Sequence, residues 1–435
     1  MKFKGRLEGH YQHVGVKWML ERERGELCRG GIQADDMGLG KTIQTIAVIC
    51  GNKVQRTLIV TTVSTVAQWR DALIEFGDIF PVIVQSSYRG ALPEPTEETP
   101  LVVVTAYSSF MRPGHPFKAV KWSRVVLDEG HVIRNPKTKL FNELSQLDSG
   151  IKWILSGTPV QNSPKELVTL AKWIGIENSS IEYIRAHYLI RRTQESEAKA
   201  NPRLALPPLD TQVIKLDFRY DYERDAYTSL LSNPITDKTT AIEILTRLRQ
   251  VCSGNCNGKK RVRNNETSPS TKIEYLCNDI VTANTKCLVF CTWTNEITLI
   301  QRELNRLGVP CLVFDGRLSR DTKDNVIYNF KHSAIQVLLL QINCGSTGLN
   351  LQVSNRVYIV SPHWNPCVEL QAIGRAYRKG QTSKVTCIRL VIKDTIEEKC
   401  LELQKRKLGF IGGDTGKRLG IETDDDLLNI LFHSV

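Results

Sequence analysis

Lys41 and Thr42 close a glycine-rich run, Gly30-Gly-Ile-Gln-Ala-Asp-Asp-Met-Gly-Leu-Gly-Lys-Thr42, and a helical stretch from Ile43 to Cys50 follows at once. A run of this kind can hold a phosphate chain, because glycines let backbone N–H groups approach the anion and a helix N-terminus adds its dipole. In that arrangement Lys41 reaches the β- and γ-phosphates of a nucleotide and the Thr42 hydroxyl holds Mg2+. Asp35, Asp36, Met37, Gly38, Leu39 and Gly40 then line the bound phosphates. Asp35 stands five positions before Gly40, where the strict G-x-x-x-x-G-K-T pattern has its first glycine, so the loop by itself is not diagnostic.

A second cluster supplies what the loop lacks. Val125-Val-Leu-Asp-Glu-Gly-His131 reads as an apolar strand that delivers two carboxylates to its C-terminal end, where ligands sit in open α/β sheets. Asp128 is placed to bind Mg2+, and Glu129 to orient and deprotonate an attacking water. The plainer alternative is a strand that ends in a solvated acidic turn. A phosphate loop upstream in the same half of the chain argues against it.

Positioning these groups takes a parallel sheet with crossover helices, and the chain alternates accordingly between β-rich apolar runs and helical patterns. Expected strands in the first half are 57–61, 101–105, 124–127 and 153–156. In the second half they are 286–290, 311–314, 337–340, 356–360 and 385–390. Two such sets imply two lobes of α/β class. Residues 196–271 read as a helical connection, with a structure-breaking Ala205–Pro208, helices at 221–231 and 241–251, and a polar stretch at 253–270. The expected organisation is therefore a first lobe at 1–195, the connection at 196–271, a second lobe at 272–400 and bracing helices at 401–435. Lys259 to Arg263 (KKRVR) is either a nuclear localisation signal or a solvated basic loop. Asp424–Asp426 followed by LLNILF reads as a capped terminal helix.

The bulk properties narrow the class. At 435 residues the chain is too long for one compact core and suits two domains. It carries 41% hydrophobic and 24% charged residues, the balance of an ordered globular protein, and no apolar run nears the roughly 20 residues of a membrane span. A net charge of +12 favours a polyanionic partner. The 12 cysteines are scattered, and the close pairs Cys252/Cys256 and Cys287/Cys291 have no matching partner pair nearby; they read as reduced thiols rather than a zinc site.

The two motifs, in this order, resemble superfamily-2 helicase motors, and over nearly its whole length the chain is similar to the SWI/SNF-type DNA translocases. Tyr11-Gln12, Gly15 and Trp18-Met19 resemble the family's adenine-reading element, with Gln12 at the base. Ser156-Gly-Thr-Pro-Val-Gln-Asn162 resembles its coupling motif, and Leu245–Cys252 the helical segment before the second lobe. Gly345-Ser-Thr-Gly-Leu-Asn-Leu351, Trp364-Asn-Pro366 and Gln371-Ala-Ile-Gly-Arg-Ala-Tyr-Arg-Lys-Gly-Gln381 match its late motifs. The form Asp128-Glu-Gly-His131 followed by Ile133-Arg-Asn-Pro136 resembles the branch that includes helicase-like transcription factor, related repair ATPases and transcription termination factor 2.

The resemblance implies two RecA-like lobes that hydrolyse ATP with Mg2+, with Gly348 near the nucleotide and Arg375 and Arg378 as arginine fingers. Supplying the fingers from the other lobe makes hydrolysis depend on closure. His131, Ser156, Thr158 and Gln371 would couple hydrolysis to movement. Duplex DNA is the implied partner, gripped by its phosphates at Thr61, Thr62, Trp69, Thr105 and Tyr107 in the first lobe and at Thr292, Trp293 and Thr347 in the second. Core packing is the alternative for the aromatics. Nucleosomes are a candidate cargo, a monomer the expected motor and the nucleus the expected compartment. Thr62, Cys291, Lys323, Gln341 and Ser346 depart from the family's usual residues, in or beside elements assigned to DNA contact or closure. A weakened DNA-binding scaffold and an RNA helicase of the same superfamily remain alternative readings.

Overall fold

The computed structural model describes residues 1–25, 28–85, 87–88, 90–96, 98–160, 163–202, 205–234, 238–256, 270–345 and 349–411. The KKRVR run, Thr347, Gly348 and the terminal helix expected after Asp424 lie outside the described residues. The chain divides into two compact units, Met1–Ala205 and Leu206–Val435.

The first unit holds strands β1 (Arg29–Gln33), β2 (Arg56–Thr61), β3 (Val82–Val84), β4 (Leu101–Ala106), β5 (Trp122–Asp128), β6 (Ser149–Leu155) and β7 (Leu189–Ile190). They form one sheet in the order β3-β4-β2-β5-β6-β1-β7, and every neighbouring pair is parallel. Its helices are α1 (His10–Arg24), α2 (Lys41–Gly51), α3 (Val66–Gly77), α4 (Tyr107–Phe110), α5 (Lys139–Ser145), α6 (Lys165–Trp173), α7 (Ile181–Tyr188) and α8 (Gln194–Ala200). Leu58, Val60, Val125 and Leu127 pack into one core cluster, and Ile59, Val126, Trp153 and Leu155 into another. Alternate residues thus feed opposite faces. Burial on both faces is why the strands read as continuous apolar runs rather than alternating ones.

The second unit repeats the plan. Strands β8 (Leu209–Leu216), β9 (Cys287–Cys291), β10 (Cys311–Phe314), β11 (Val337–Gln341), β12 (Arg356–Ile359) and β13 (Val385–Ile392) form a sheet in the order β10-β11-β9-β12-β13-β8, again parallel throughout. Its helices are α9 (Asp221–Leu231), α10 (Lys238–Cys252), α11 (Thr271–Ala283), α12 (Thr294–Arg306), α13 (Arg320–His332), α14 (Ile342–Gly345), α15 (Pro366–Ile373) and α16 (Ile396–Ile411).

The region expected to be a helical connection is corrected here. β8 pairs with β13 over eight registered positions, from Leu209↔Val385 to Leu216↔Ile392, so it is an edge strand of the second sheet. Tyr227 of α9 and Ile244, Leu245 and Leu248 of α10 pack with Ile392, Ile396 and Leu403 in one cluster. Most of the expected connection is therefore built into the second unit. Among the described residues no helix is long and apolar enough to cross a membrane, no group of His, Cys, Asp and Glu is arranged to hold a metal ion, and all twelve cysteines are free thiols.

Candidate active site

Four strands that are neighbours in the first sheet, β2, β5, β6 and β1, carry the candidate residues at or just beyond their C-terminal ends. The phosphate loop leaves β1 and enters α2 at Lys41. Gly40 caps that helix with φ 77° and ψ 41°, a left-handed conformation, and a Cβ there would stand 2.5 Å from Gln12 Nε2. Only glycine suits both conditions. Lys41 Nζ donates to the carbonyls of Asp35 at 2.7 Å and Asp36 at 3.3 Å. Gln12 Nε2 donates to the Leu39 carbonyl at 3.2 Å, and Gln44 Nε2 donates to the same carbonyl at 3.1 Å. The expected adenine element is thereby joined to the loop. Thr42 lies in the first turn of α2, with Met37 and Gly38 in the loop before it. Asp35 is corrected: its carboxylate is fully buried and ion-paired with Arg192, so it supports the loop from behind rather than facing a nucleotide.

The acidic pair follows β5. Asp128 Oδ2 accepts from Thr61 Oγ1 at 2.7 Å and from Trp69 Nε1 at 2.8 Å, and the Tyr107 hydroxyl donates to the Asp128 carbonyl at 2.8 Å. Burial and the adjacent Glu129 charge push the Asp128 carboxyl above its usual range, against the pull of Trp69, Thr61 and Lys41. The Tyr107 phenol is likewise pushed up, first by burial and then by the two carboxylates. Glu129 adopts φ 52°, an uncommon left-handed conformation for a non-glycine residue. His131 Nδ1 lies 3.3 Å from Glu129 Oε2 and 3.1 Å from Ser156 Oγ, and Ser156 Oγ also accepts the Thr158 N–H at 3.2 Å. A chain of polar contacts thus runs from the acidic pair into the Ser156–Thr158 motif.

These contacts correct part of the expected DNA set. Thr61 and Thr105 are fully buried, one donating to Asp128 and the other to the Val84 carbonyl at 2.8 Å, so their hydroxyls do not face solvent. Trp69 is 1% exposed and serves Asp128. Thr62 is half-buried, with its hydroxyl 3.1 Å from Ser64 Oγ and 2.9 Å from Thr65 Oγ1.

In the second unit, the loop after α15 carries both arginines. Arg375 is 4% exposed and its carbonyl accepts from Leu351 N at 3.0 Å, while burial pushes the Arg378 guanidinium down from its usual range. Gln381 fixes the loop: its Nε2 donates at 3.1 Å to the carbonyls of Gln352, Ser354 and Ala376. Gln371 sits half-buried near the end of α15. Glu296 Oε2 accepts the backbone N–H groups of Thr292 at 2.7 Å and Trp293 at 2.9 Å. The Arg249 guanidinium lies 5.6 Å from the Trp293 ring and 4.9 Å from the Trp364 ring, and it donates to the Pro362 carbonyl at 2.7 Å.

Residues 11–181 match the SNF2-related domain, and residues 271–380 match the helicase conserved C-terminal domain. The chain belongs to the SNF2 family. Its two matched domains are those of a helicase-like ATPase. It is 28% identical to the "Probable global transactivator" of Orgyia pseudotsugata multicapsid polyhedrosis virus, covering 92% of this chain and 90% of that protein. It is 30% identical to the "Putative ATP-dependent helicase/translocase YwqA" of Bacillus subtilis, over 91% of this chain but 47% of the relative. It is 25% identical to "DNA repair protein RAD5B" of Arabidopsis thaliana, over 89% of this chain and 45% of that protein. The chain therefore spans less than half of several relatives. Among solved structures it is similar to the Sulfolobus solfataricus SWI2/SNF2 ATPase core in complex with dsDNA, at 24% identity, covering 99% of this chain and 97% of that one, with a TM-score of 0.45.

Several residues that shape this SNF2-family site carry no local signal in the sequence. Arg192 meets Asp35 across 157 positions, and Trp69 meets Asp128 across 59. The side chains of Gln352, Gln381 and Gln194 donate to the carbonyls of Arg378, Ser354 and Met37, all remote in sequence. Of these, Gln381 lies within a recognisable motif, Gln371 to Gln381.

Proposed function

We propose that this SNF2-family ATPase is a motor that moves along double-stranded DNA without separating its strands, in chromatin remodelling, transcription or DNA repair. The observation that carries the reading is the gathering of Lys41, Asp128, Glu129 and Ser156 at one end of four adjacent parallel strands, with Asp128 held by Thr61 and Trp69. Gln12 reads the adenine and the loop from Asp36 to Thr42 holds the phosphates. Glu129 orients the attacking water and accepts its proton. Arg375 and Arg378 are the proposed arginine fingers and Gly348 a proposed nucleotide contact, so that hydrolysis is tied to movement. His131, Ser156, Thr158 and Gln371 relay the change.

Oxygen donors at Asp128 and Thr42 suit a hard divalent cation, and both bonds that orient Asp128 go to Oδ2. Those two residues would hold Mg2+, which neutralises charge on the phosphate oxygens. Backbone phosphate contact suits a motor because it is independent of sequence, and a net charge of +12 favours it. Thr62, Tyr107, Thr292, Trp293 and Thr347 are the proposed contributors. Residues 401–411 brace the second unit: Gln404 Nε2 donates to the His363 carbonyl at 2.6 Å, and Lys407 Nζ to that of Trp364 at 3.3 Å. A monomeric motor in the nucleus, with nucleosomes as a candidate cargo, completes the proposal. Relatives named for transactivation, DNA repair and a "CHD3-type chromatin-remodeling factor" support it.

ATP hydrolysis by the purified protein, measured with duplex DNA, single-stranded DNA and RNA, tests the reading. Stimulation by duplex DNA is expected. Stimulation by RNA alone would identify an RNA helicase, and equal background rates for the natural protein and Glu129→Gln would leave a scaffold.

A further inference from the structure

Immediately after β7 the chain runs beside the phosphate loop and grips it residue by residue. The Ala34 N–H donates to the Ile190 carbonyl at 2.7 Å, and the Asp36 N–H to the Arg192 carbonyl at 2.9 Å. In the other direction, the Arg192 N–H donates to Asp35 Oδ1 at 3.2 Å and the Gln194 N–H to Asp36 Oδ2 at 3.1 Å. Gln194 Nε2 adds a bond to the Met37 carbonyl at 2.8 Å. This strap holds four consecutive residues, Ala34 to Met37, two of which supply the carbonyls that accept from Lys41.

The Arg192 side chain goes further. Its Nε donates to Asp35 Oδ1 at 2.8 Å and its Nη2 forks onto Asp35 Oδ2 and onto Gln44 Oε1 at 2.9 Å, while Nη1 donates to the Tyr11 carbonyl. The guanidinium carbon lies 5.3 Å from the centre of the Tyr11 ring. One planar cation therefore joins the adenine element in α1, the loop carboxylate and the first turns of α2. Gly15 is part of the same fit: a Cβ there would come within 2.1 Å of Gln44 Oε1 and 2.6 Å of Arg192 Nη2.

We infer that Arg192, backed by Gln194, is a positioning residue that sets the affinity of the first unit for adenine nucleotides by fixing the phosphate loop and the adenine element in one geometry. The inference rests on the ATP-binding reading proposed above but not on DNA movement. Asp35 is fully buried, and a buried carboxylate needs its partner. A phosphate that takes Lys41 competes with the Asp35 and Asp36 carbonyls, so the loop must keep its shape while Lys41 changes partners. The strap supplies that rigidity. Lysine cannot replace the fork, because one ammonium cannot reach Asp35, Gln44 and the Tyr11 carbonyl at their separate angles.

The test compares Arg192→Gln, Arg192→Lys, Gln194→Ala and, as a control, the exposed Lys199→Gln on α8. Each full-length protein is titrated with a fluorescent ATP analogue and assayed for hydrolysis across ATP concentration, with folding checked by circular dichroism. Arg192→Gln is expected to raise Kd and KM by about tenfold or more while kcat at saturating ATP falls less than about threefold. Arg192→Lys should recover only part of that loss, Gln194→Ala should show a smaller rise, and Lys199→Gln none. Unchanged Kd in folded Arg192→Gln overturns the inference, as does full recovery by lysine. Should Arg192→Gln fail to fold, an unchanged Kd in both Arg192→Lys and Gln194→Ala overturns it. Natural protein that binds ATP but gains no rate from DNA contradicts the motor reading and leaves the Kd comparison decisive here; natural protein that binds no ATP overturns both.

Discussion

The indole Nε1 of Trp69 donates to Asp128 Oδ2 at 2.8 Å, so a helix residue buried beneath the sheet's end holds the carboxylate proposed to bind magnesium. Trp69→Phe keeps most of the packing and deletes that bond. A hydrogen bond to a charged group is worth about 1.5–3 kcal/mol, so hydrolysis should fall by roughly 10- to 100-fold with little loss of fold. Steady-state ATPase rates and a thermal melt check it. An unchanged rate would mean that Thr61 alone holds Asp128.

Glu129→Gln should abolish turnover and leave ATP binding within a few-fold of the natural protein. General-base catalysis contributes about 10²–10⁴ in rate. Radiolabelled phosphate release and nucleotide binding, measured on the same preparation, separate the two effects. Chelating Mg2+ from the natural protein should stop phosphate release as completely.

At Gly40 alanine meets two penalties. The left-handed φ of 77° costs an L-residue about 1–2 kcal/mol, and the new Cβ would collide with Gln12, 2.5 Å away. Gly40→Ala is expected to weaken ATP binding by at least about tenfold, which isothermal titration would read directly. Equal affinity would show that Gln12 and the loop are not held as described.

Breaking the buried Arg124–Glu23 ion pair should cost far more than breaking an exposed one. Arg124 Nε donates to Glu23 Oε1 at 2.7 Å with both side chains fully buried, and Trp153 Nε1 donates to the same oxygen at 2.9 Å. Glu23→Ala should cost about 3–5 kcal/mol by stranding the arginine, whereas Glu21→Ala, which breaks an exposed pair with Lys17, should cost about 0–1 kcal/mol. Denaturant unfolding of the two variants makes the comparison.

Much of this was legible because the interior strands declare themselves. Residues 101–106 and 337–341 are apolar on both faces, and the expected and observed strands agree there to within a residue. β8 was missed for the opposite reason: as an edge strand its residues are mostly half-buried or exposed, and its polar sequence, LDTQVIKL, resembles a connector. β3 and β7, of three and two residues, carry too little pattern to register. At the site, the proposed roles of Lys41, Asp128 and Glu129 are legible because their chemistry is written in adjacent letters. Thr61 and Thr105 enter the DNA set only through the family resemblance, and the strand register that buries them is set by neighbours distant in sequence. Trp69 and Arg192 became visible as supports only when the fold brought them to their carboxylates.

Arg375 and Arg378 are proposed as fingers for the chemistry gathered at Lys41, Asp128 and Glu129. The decisive experiment is single-turnover ATP hydrolysis with saturating duplex DNA, comparing the natural protein with Arg375→Ala and Arg378→Ala. Both variants should keep ATP affinity within a few-fold of the natural protein and hydrolyse ATP more slowly by about 10³ or more. Rates within about tenfold of the natural protein for both variants would contradict it.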